Sequence, residues 1–172
     1  QDYVKAIDYY HQAAEKGHIG GLTYLGLMHK NGVGVVKDYE KALGYFSQAA
    51  DKGSVFALYN IGVMHRNGFG VVQDDETAIG FFRRAADKGS AAALNSLGFM
   101  YLYGHGVVAD NEKALTCFFK ASEKGHAAAF NNLGLMYENG FGVAQNNTIA
   151  LEYFQRGADK GHAEAQSNLE RM

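Results

Sequence analysis

The sequence predicts an all-α fold, a right-handed superhelix (solenoid) of antiparallel helix pairs in 36-residue repeats. One phrase, "KNGVGVVKDYEKA" in residues 30–42, returns in three further copies, with Gly32, Gly68, Gly104 and Gly140 each 36 residues apart. Every copy also contains a second block of the form "AADKG", and the chain contains no proline. Two glycine-ended apolar segments per copy at this period are typical of helical repeat arrays.

The first apolar segment of each copy predicts a helix, which we call helix A. In "SVFALYNIGVMHRNG", Ala57, Ile61 and Met64 follow the i, i+4, i+7 spacing of one helical stripe. Gly68 then suits the left-handed turn that ends a helix, and Gly70 bends the chain again. Helix A is therefore expected to end at the repeated glycine in every copy.

The second segment, for example "DDETAIGFFRRAADKG", predicts helix B. It opens on a short polar side chain whose oxygen can cap a helix start. This position holds Asp2, Asp38, Asp74, Asp110 and Asn146. A second position is aromatic in all five copies: Tyr10, Phe46, Phe82, Phe118 and Phe154. Because alanines lie beside these rings, large and small side chains can interlock between paired helices.

The repeat positions divide the chain into a single array of about ten helices. We expect a half repeat with helix B alone in 1–17, complete repeats in 18–53, 54–89, 90–125 and 126–161, and a terminal capping helix in 162–172. The last segment is more polar than its counterparts and has Leu169-Glu170 in place of Leu-Gly, so Glu170 should be exposed. Because the first helix B lacks a helix A, we also expect at least one further repeat upstream.

Composition and charge argue against several classes of protein. No apolar run approaches the roughly 20 residues that cross a bilayer, so membrane insertion is not expected. A formal net charge of −2 argues against a nucleic-acid partner. The single cysteine, Cys117, excludes an intrachain disulfide and a multi-cysteine zinc site, and its position indicates a buried small hydrophobe. The compartment and the oligomeric state stay open.

The residue pattern predicts no catalytic, cofactor or metal site. His29 and His65 share a position with Tyr101 and Tyr137, which indicates a slot for a planar ring packed against the next helix. Acids that recur in every copy do not form a unique catalytic pair. Asn146 begins a glycosylation acceptor, although helix capping also explains it. One repeat position, expected in the core, holds Met28, Met64, Met100, Met136 and Met172.

Each repeat reads Ala-x-x-x-Leu-Gly-x-Met-Tyr/His-x-x-Gly-x-Gly-Val, then Asp-x-x-x-Ala-x-x-x-Tyr/Phe-Phe-x-x-Ala-Ala-x-x-Gly. Along the whole chain, this pattern resembles the Sel-one-like repeat (SLR) family, a relative of the tetratricopeptide repeat. Tetratricopeptide repeats differ in their 34-residue period and their proline. The cysteine-rich bacterial branch has a disulfide in each repeat, which a single cysteine excludes here. The resemblance implies a protein-binding scaffold without naming its partner.

Positions that vary between copies predict the partner-binding surface. On helix A they are spaced i, i+4, i+7, i+8 and share one face, away from the Leu-Gly stripe. In the tetratricopeptide family this face lines the concave groove, and the resemblance implies the same here. Aromatic residues would supply buried area and amides would bond an extended backbone. The candidates are Tyr59, Val63, Arg66, Asn95, Phe99, Tyr103, Asn131 and Leu135.

The sequence therefore predicts a non-enzymatic adaptor that holds a peptide segment or a partner domain in its concave groove. Three alternatives remain open. The apolar candidates Val63, Phe99 and Leu135 could simply pack against neighbouring A helices. The protein could be a structural subunit of a larger complex, or a hydrolase-type enzyme with its site in the groove.

Overall fold

The computed structural model describes residues 3–172, and within that range every regular element is an α-helix. The ten helices are α1 (Tyr3–Glu15), α2 (Ile19–Asn31), α3 (Tyr39–Asp51), α4 (Val55–Asn67), α5 (Asp75–Asp87), α6 (Ala91–Tyr103), α7 (Asn111–Glu123), α8 (Ala127–Asn139), α9 (Asn147–Asp159) and α10 (Ala163–Arg171). The predicted all-α repeat fold and its number of helices are confirmed.

The chain divides into two compact units, Gln1–Lys88 and Gly89–Met172. The division falls at the end of the second complete repeat. In unit 1, α2 pairs with α3 and α4 with α5; in unit 2, α6 pairs with α7 and α8 with α9. Each pair is a helix A on its own helix B, as the repeat predicts.

Helix B starts at the predicted caps. The side chains of four residues accept a hydrogen bond from the backbone N–H three positions later: Asp38, Asp74, Asp110 and Asn146. The predicted cap at Asp2 lies outside the described residues. The backbone N–H of each cap also donates to a helix A carbonyl, at 2.8–3.0 Å: Asp38 to His29, Asp74 to His65, Asp110 to Tyr101 and Asn146 to Tyr137. These bonds tie the loop between helices A and B to the end of helix A.

Replacing Asp110 by alanine is expected to lower the melting temperature at neutral pH. Its carboxylate accepts from the Lys113 backbone N–H at 2.9 Å and forms an ion pair with Lys113 Nζ at 2.8 Å. Asparagine keeps a side-chain oxygen that can cap the helix, so Asp110→Asn should lower the melting temperature less than Asp110→Ala does. Circular dichroism melts of the three proteins test this order.

The expected order of stability depends on pH, because the carboxyl of Asp110 titrates. Hydrogen bonds from Lys113, through its side chain and then its backbone, lower the pKa of Asp110. A lowered folded pKa means that the charge stabilises the fold above the unfolded pKa of about 3.9, and that this stabilisation is lost as the pH falls through the folded value. The advantage of the natural residue over Asp110→Asn should therefore shrink on acidification. A stability difference from Asp110→Asn that stays constant down to about pH 2 would contradict a stabilising role for the charged carboxylate of Asp110.

Helix A ends at a glycine in the left-handed conformation in all four complete repeats. The φ angles of Gly32, Gly68, Gly104 and Gly140 are +71°, +67°, +70° and +71°. Residues with a Cβ avoid this region, which explains why glycine recurs here. The predicted helix ends are confirmed.

The core of each helix pair is an aromatic ring laid on a helical glycine. Phe46, Phe82, Phe118 and Phe154 are fully buried. A Cβ built on Gly62 would lie 2.7 Å from Phe82 Cε1, and one on Gly98 would overlap Phe118 Cε1. Gly98 of α6 therefore contacts its own helix B, α7, at this ring. The ring thus packs on the glycine of the Leu-Gly pair, and the alanines that the sequence indicated as small neighbours, such as Ala78, are also fully buried.

The predicted slot for a planar ring is confirmed in three repeats. Three pairs stack with centroids 5.6–5.7 Å apart: His29 on Tyr45, His65 on Phe81 and Tyr137 on Tyr153. Burial is the main cause that lowers the pKa of His29, which favours the neutral ring at neutral pH. In α7 the aromatic partner is replaced by Cys117. The sequence indicated a buried position for this cysteine, but it is half-buried.

Two expectations for the terminal segment have different outcomes. Glu170 is exposed, as predicted for a capping helix. Met28, Met64, Met100 and Met136 are buried, but Met172 is 40% exposed. The core assignment was therefore wrong for Met172, because α10 ends at Arg171 and this residue lies beyond the packed helix.

Candidate partner-binding surface

The eight candidate residues divide between the two units. Unit 1 carries three of them on α4: Tyr59, Val63 and Arg66. Unit 2 carries the other five on α6 and α8: Asn95, Phe99, Tyr103, Asn131 and Leu135. Asn95 and Asn131 are buried, Tyr103 is exposed, and the remaining five are half-buried.

Three candidates of unit 2 line one pocket between α6 and α8. Phe99 and Tyr103 supply one wall, with their rings stacked at 6.1 Å, and Leu135 supplies part of the other. The pocket encloses about 210 Å³. Its remaining lining residues are Leu102, Asn132, Met136, Asn139 and Phe141. The arrangement is an apolar recess with two amides, and the ring of Tyr103 in its wall is exposed.

Sequence reasoning missed several of these lining residues. Leu102 and Asn139 occupy positions that vary between copies, so the same signal could have found them. Phe141 lies in the loop after α8, where the other copies have Val33, Phe69 and His105. Comparing loop positions as well as helix A positions would have added Phe141 to the candidate site.

Two aromatic candidates also belong to the packing of their own helix pair. Phe99 meets the buried ring of Phe118 edge-on at 5.5 Å, and Tyr59 lies 5.7 Å from the ring of Phe82. Replacing either side chain would therefore change folding as well as the surface. Tyr103, which is 62% exposed, is a cleaner probe of the pocket.

The two buried asparagines join successive A helices. Asn132 Nδ2 donates to Asn95 Oδ1 at 2.8 Å, which links α8 to α6. Asn168 Nδ2 donates to Asn131 Oδ1 at 2.9 Å, which links α10 to α8. Buried amides need such partners, so both oxygens have a structural role. Contact of Asn95 and Asn131 with a partner backbone stays a prediction.

The cations and acids of this face differ between the units. In unit 1, Lys30 Nζ donates to Asn60 Oδ1 at 2.8 Å, and burial lowers the pKa of Lys30. The side chain of Arg66, one repeat further along, makes no hydrogen bond or ion pair with any residue in 3–172. In unit 2 the equivalent Glu138 is paired with Arg171 through two oxygens, at 2.8 and 2.9 Å.

The described part of the chain shows neither a metal cluster nor a membrane span. Within residues 3–172, no three histidine, cysteine, aspartate or glutamate side chains are grouped to hold a metal ion. Over the same range, each helix is too short or too polar to cross a bilayer.

In the complete repeats the helices have one length, helix A ends at a glycine, and a buried ring packs between helices A and B. These features define an α-helical repeat protein. The Sel1 repeat model matches residues 1–18, 21–54, 55–90, 91–126 and 127–162. The chain therefore belongs to the Sel1 repeat family, as its resemblance to SLR proteins implied.

Solved structures of similar proteins agree with this assignment. A protective antigen with an SLR fold from uropathogenic Escherichia coli is 36% identical, with a TM-score of 0.89 over 97% of this chain and 36% of that one. A Sel1 repeat protein from Oxalobacter formigenes is 29% identical, with a TM-score of 0.85 over 96% of this chain and 74% of that one. An immunity protein from Pseudomonas aeruginosa is 30% identical, with a TM-score of 0.66 over 94% and 60%.

The chain spans little more than a third of the length of the Escherichia coli antigen. No curated protein matches it in sequence.

Proposed function

We propose that this protein is a non-enzymatic scaffold that binds a peptide segment or a partner domain through the variable face of its A helices. Sel1 repeat proteins are generally protein-interaction scaffolds. The observation that carries the proposal for this chain is the apolar recess between α6 and α8. It lies on the face where the repeats differ in sequence, which is the face that packing within the array leaves free to vary.

The size of the recess suits a side chain of a partner protein. Pockets for small-molecule ligands are usually about 300–1,000 Å³. At about 210 Å³, this recess instead matches one bulky aliphatic or aromatic side chain. Tyr103 and Phe141 are 62% and 43% exposed and would lose apolar surface on binding. Aromatic residues in such positions often dominate the binding energy of an interface.

The recess should also be largely preformed. The Asn132–Asn95 bond joins α8 to α6, the two helices that form its walls. Fixing the walls before binding reduces the entropy that association would otherwise cost. A preformed recess on a repeat scaffold fits recognition of a peptide anchor better than it fits catalysis, since its lining contains no carboxylate, histidine, lysine, serine, threonine or cysteine.

Selection from a displayed library of random peptides tests the proposal. We expect selected peptides to share a bulky apolar residue, and Tyr103→Ala and Leu135→Ala each to weaken their binding by about tenfold or more. Fluorescence anisotropy with the selected peptide measures the change.

Val108→Ala is the matched control, because this valine is 89% exposed in the same unit and lies outside the recess. It should leave the affinity unchanged. Equal effects of Tyr103→Ala and Val108→Ala would reject the recess as the binding site.

A further inference from the structure

The charges on the variable face of unit 1 are one-sided. This face comprises eight residues on α2 and α4: Thr23, Leu27, Lys30, Asn31, Tyr59, Val63, Arg66 and Asn67. They include two cations and no carboxylate, although the whole chain has a formal net charge of −2. The excess of positive charge is therefore a local feature of this surface.

Unit 2 does not repeat this feature. The positions equivalent to Lys30 and Arg66 hold Leu102 and Glu138. The carboxylate of Glu138 is bound by Arg171. Charge on the variable face is thus neutralised within unit 2 but left without a counter-charge in unit 1.

Both cations of unit 1 are half-buried and neither has an acidic partner among residues 3–172. Lys30 reaches from α2 to the neutral amide of Asn60 on α4, the helix that carries Arg66. Removing part of a cation's hydration without a counter-charge costs free energy. A carboxylate brought by a partner would offset that cost, and it would interact more strongly here than in bulk water.

We propose that the bound partner is an acidic protein segment, with an aspartate or glutamate held by Arg66 and Lys30 on the helix A face of unit 1. This inference rests on the proposed function, since it uses the equivalent variable face of the A helices in unit 1. The guanidinium of Arg66 can bind a carboxylate through two parallel hydrogen bonds. Two cations are too few for a nucleic-acid backbone, whose binding depends on many phosphate contacts.

Three labelled peptides of equal length test the charge preference. They carry leucine at alternate positions and glutamate, glutamine or lysine between them. By fluorescence anisotropy at low salt, we expect the glutamate peptide to bind about tenfold more tightly than the glutamine peptide, and this advantage to shrink as salt is added. Equal binding of the two peptides would overturn the proposal.

Substitutions at Arg66 locate the preference. Arg66→Ala should remove most of the glutamate advantage while leaving binding of the glutamine peptide unchanged. Arg66→Glu should shift the preference toward the lysine peptide. Arg66→Lys should keep part of the preference for the glutamate peptide. Circular dichroism melts verify that each variant is folded.

Arg84→Ala is the charge-matched control. Arg84 lies on helix B of the same unit, with its guanidinium 5.3 Å from the ring centroid of Phe81. If Arg84→Ala lowers glutamate-peptide binding as much as Arg66→Ala does, the preference is a general charge effect and the proposal is wrong. Equal competition by a single-stranded oligonucleotide of the same charge would also overturn it.

Tyr103→Ala separates this inference from the proposed function. If the recess anchors the peptides, Tyr103→Ala should weaken all three alike and leave the glutamate advantage intact. If binding ignores Tyr103 but still depends on Arg66, the recess is rejected and the acidic site stands. If binding depends on Tyr103 but not on Arg66, the acidic site is rejected and the recess stands.

Discussion

Replacing Gly62 by alanine is expected to lower the free energy of unfolding by about 1–3 kcal/mol, the usual cost of overpacking a core. The new Cβ would lie 2.7 Å from Phe82 Cε1, 2.8 Å from Cδ1 and 3.2 Å from the Ala78 carbonyl oxygen. The ring of Phe82 is fully buried, and a close-packed interior leaves little room for a ring to shift. Denaturant unfolding followed by circular dichroism measures the loss.

Gly80→Ala provides the matched control. Gly80 lies on α5 in the same unit, and nothing lies within 4 Å of an added Cβ there. Alanine in a helix is favoured over glycine by about 0.5–1 kcal/mol, so this variant should be slightly more stable than the natural protein. The same chemical change should therefore have opposite signs at the two positions.

Unit 2 offers a harsher form of the same test. Gly98→Leu places a much larger side chain against the ring of Phe118 and should destabilise the fold at least as much as Gly62→Ala. An unchanged melting temperature for Gly98→Leu, or equal effects of Gly62→Ala and Gly80→Ala, would refute the packing of ring on glycine.

Replacing Asn132 by leucine is expected to cost about 1–3 kcal/mol, because it leaves Asn95 Oδ1 buried without its donor. Asn132 and Asn95 are only 6% and 9% exposed, so water does not readily replace the lost bond. Chemical unfolding of the variant measures this cost.

A double variant shows whether the two amides act as a pair. With Asn95→Leu added to Asn132→Leu, no polar group is left unsatisfied, so the combined loss should be smaller than the sum of the single losses. Asn139→Leu is the surface control, because Asn139 is exposed, and should change stability by no more than about 0.5 kcal/mol. Strictly additive losses would show that the asparagine bond contributes little.

The asparagine pair also connects stability to binding. It joins the two helices that form the recess, so Asn132→Leu should weaken peptide binding even though leucine adds apolar surface there. Asn132 therefore acts both as part of the lining of the recess and as the residue that joins its two walls.

The helix boundaries could be predicted from sequence because their causes are local. Asp110 caps α7 through the N–H of Lys113, only three residues away. Gly104 ends α6 because its own φ is positive, which disfavours a side chain. The 36-residue recurrence of such signals was enough to predict the helix order and the family.

The recess required the tertiary structure, because residues distant in sequence form its walls. Asn95 and Asn132 are 37 positions apart, and whether such amides face each other or a partner depends on how α6 and α8 are aligned. Phe99 varies among the repeats like a surface residue, yet its contact with Phe118 also makes it part of the core. Variation between copies therefore predicted a face, while the packing of the helices decided which of its side chains are exposed.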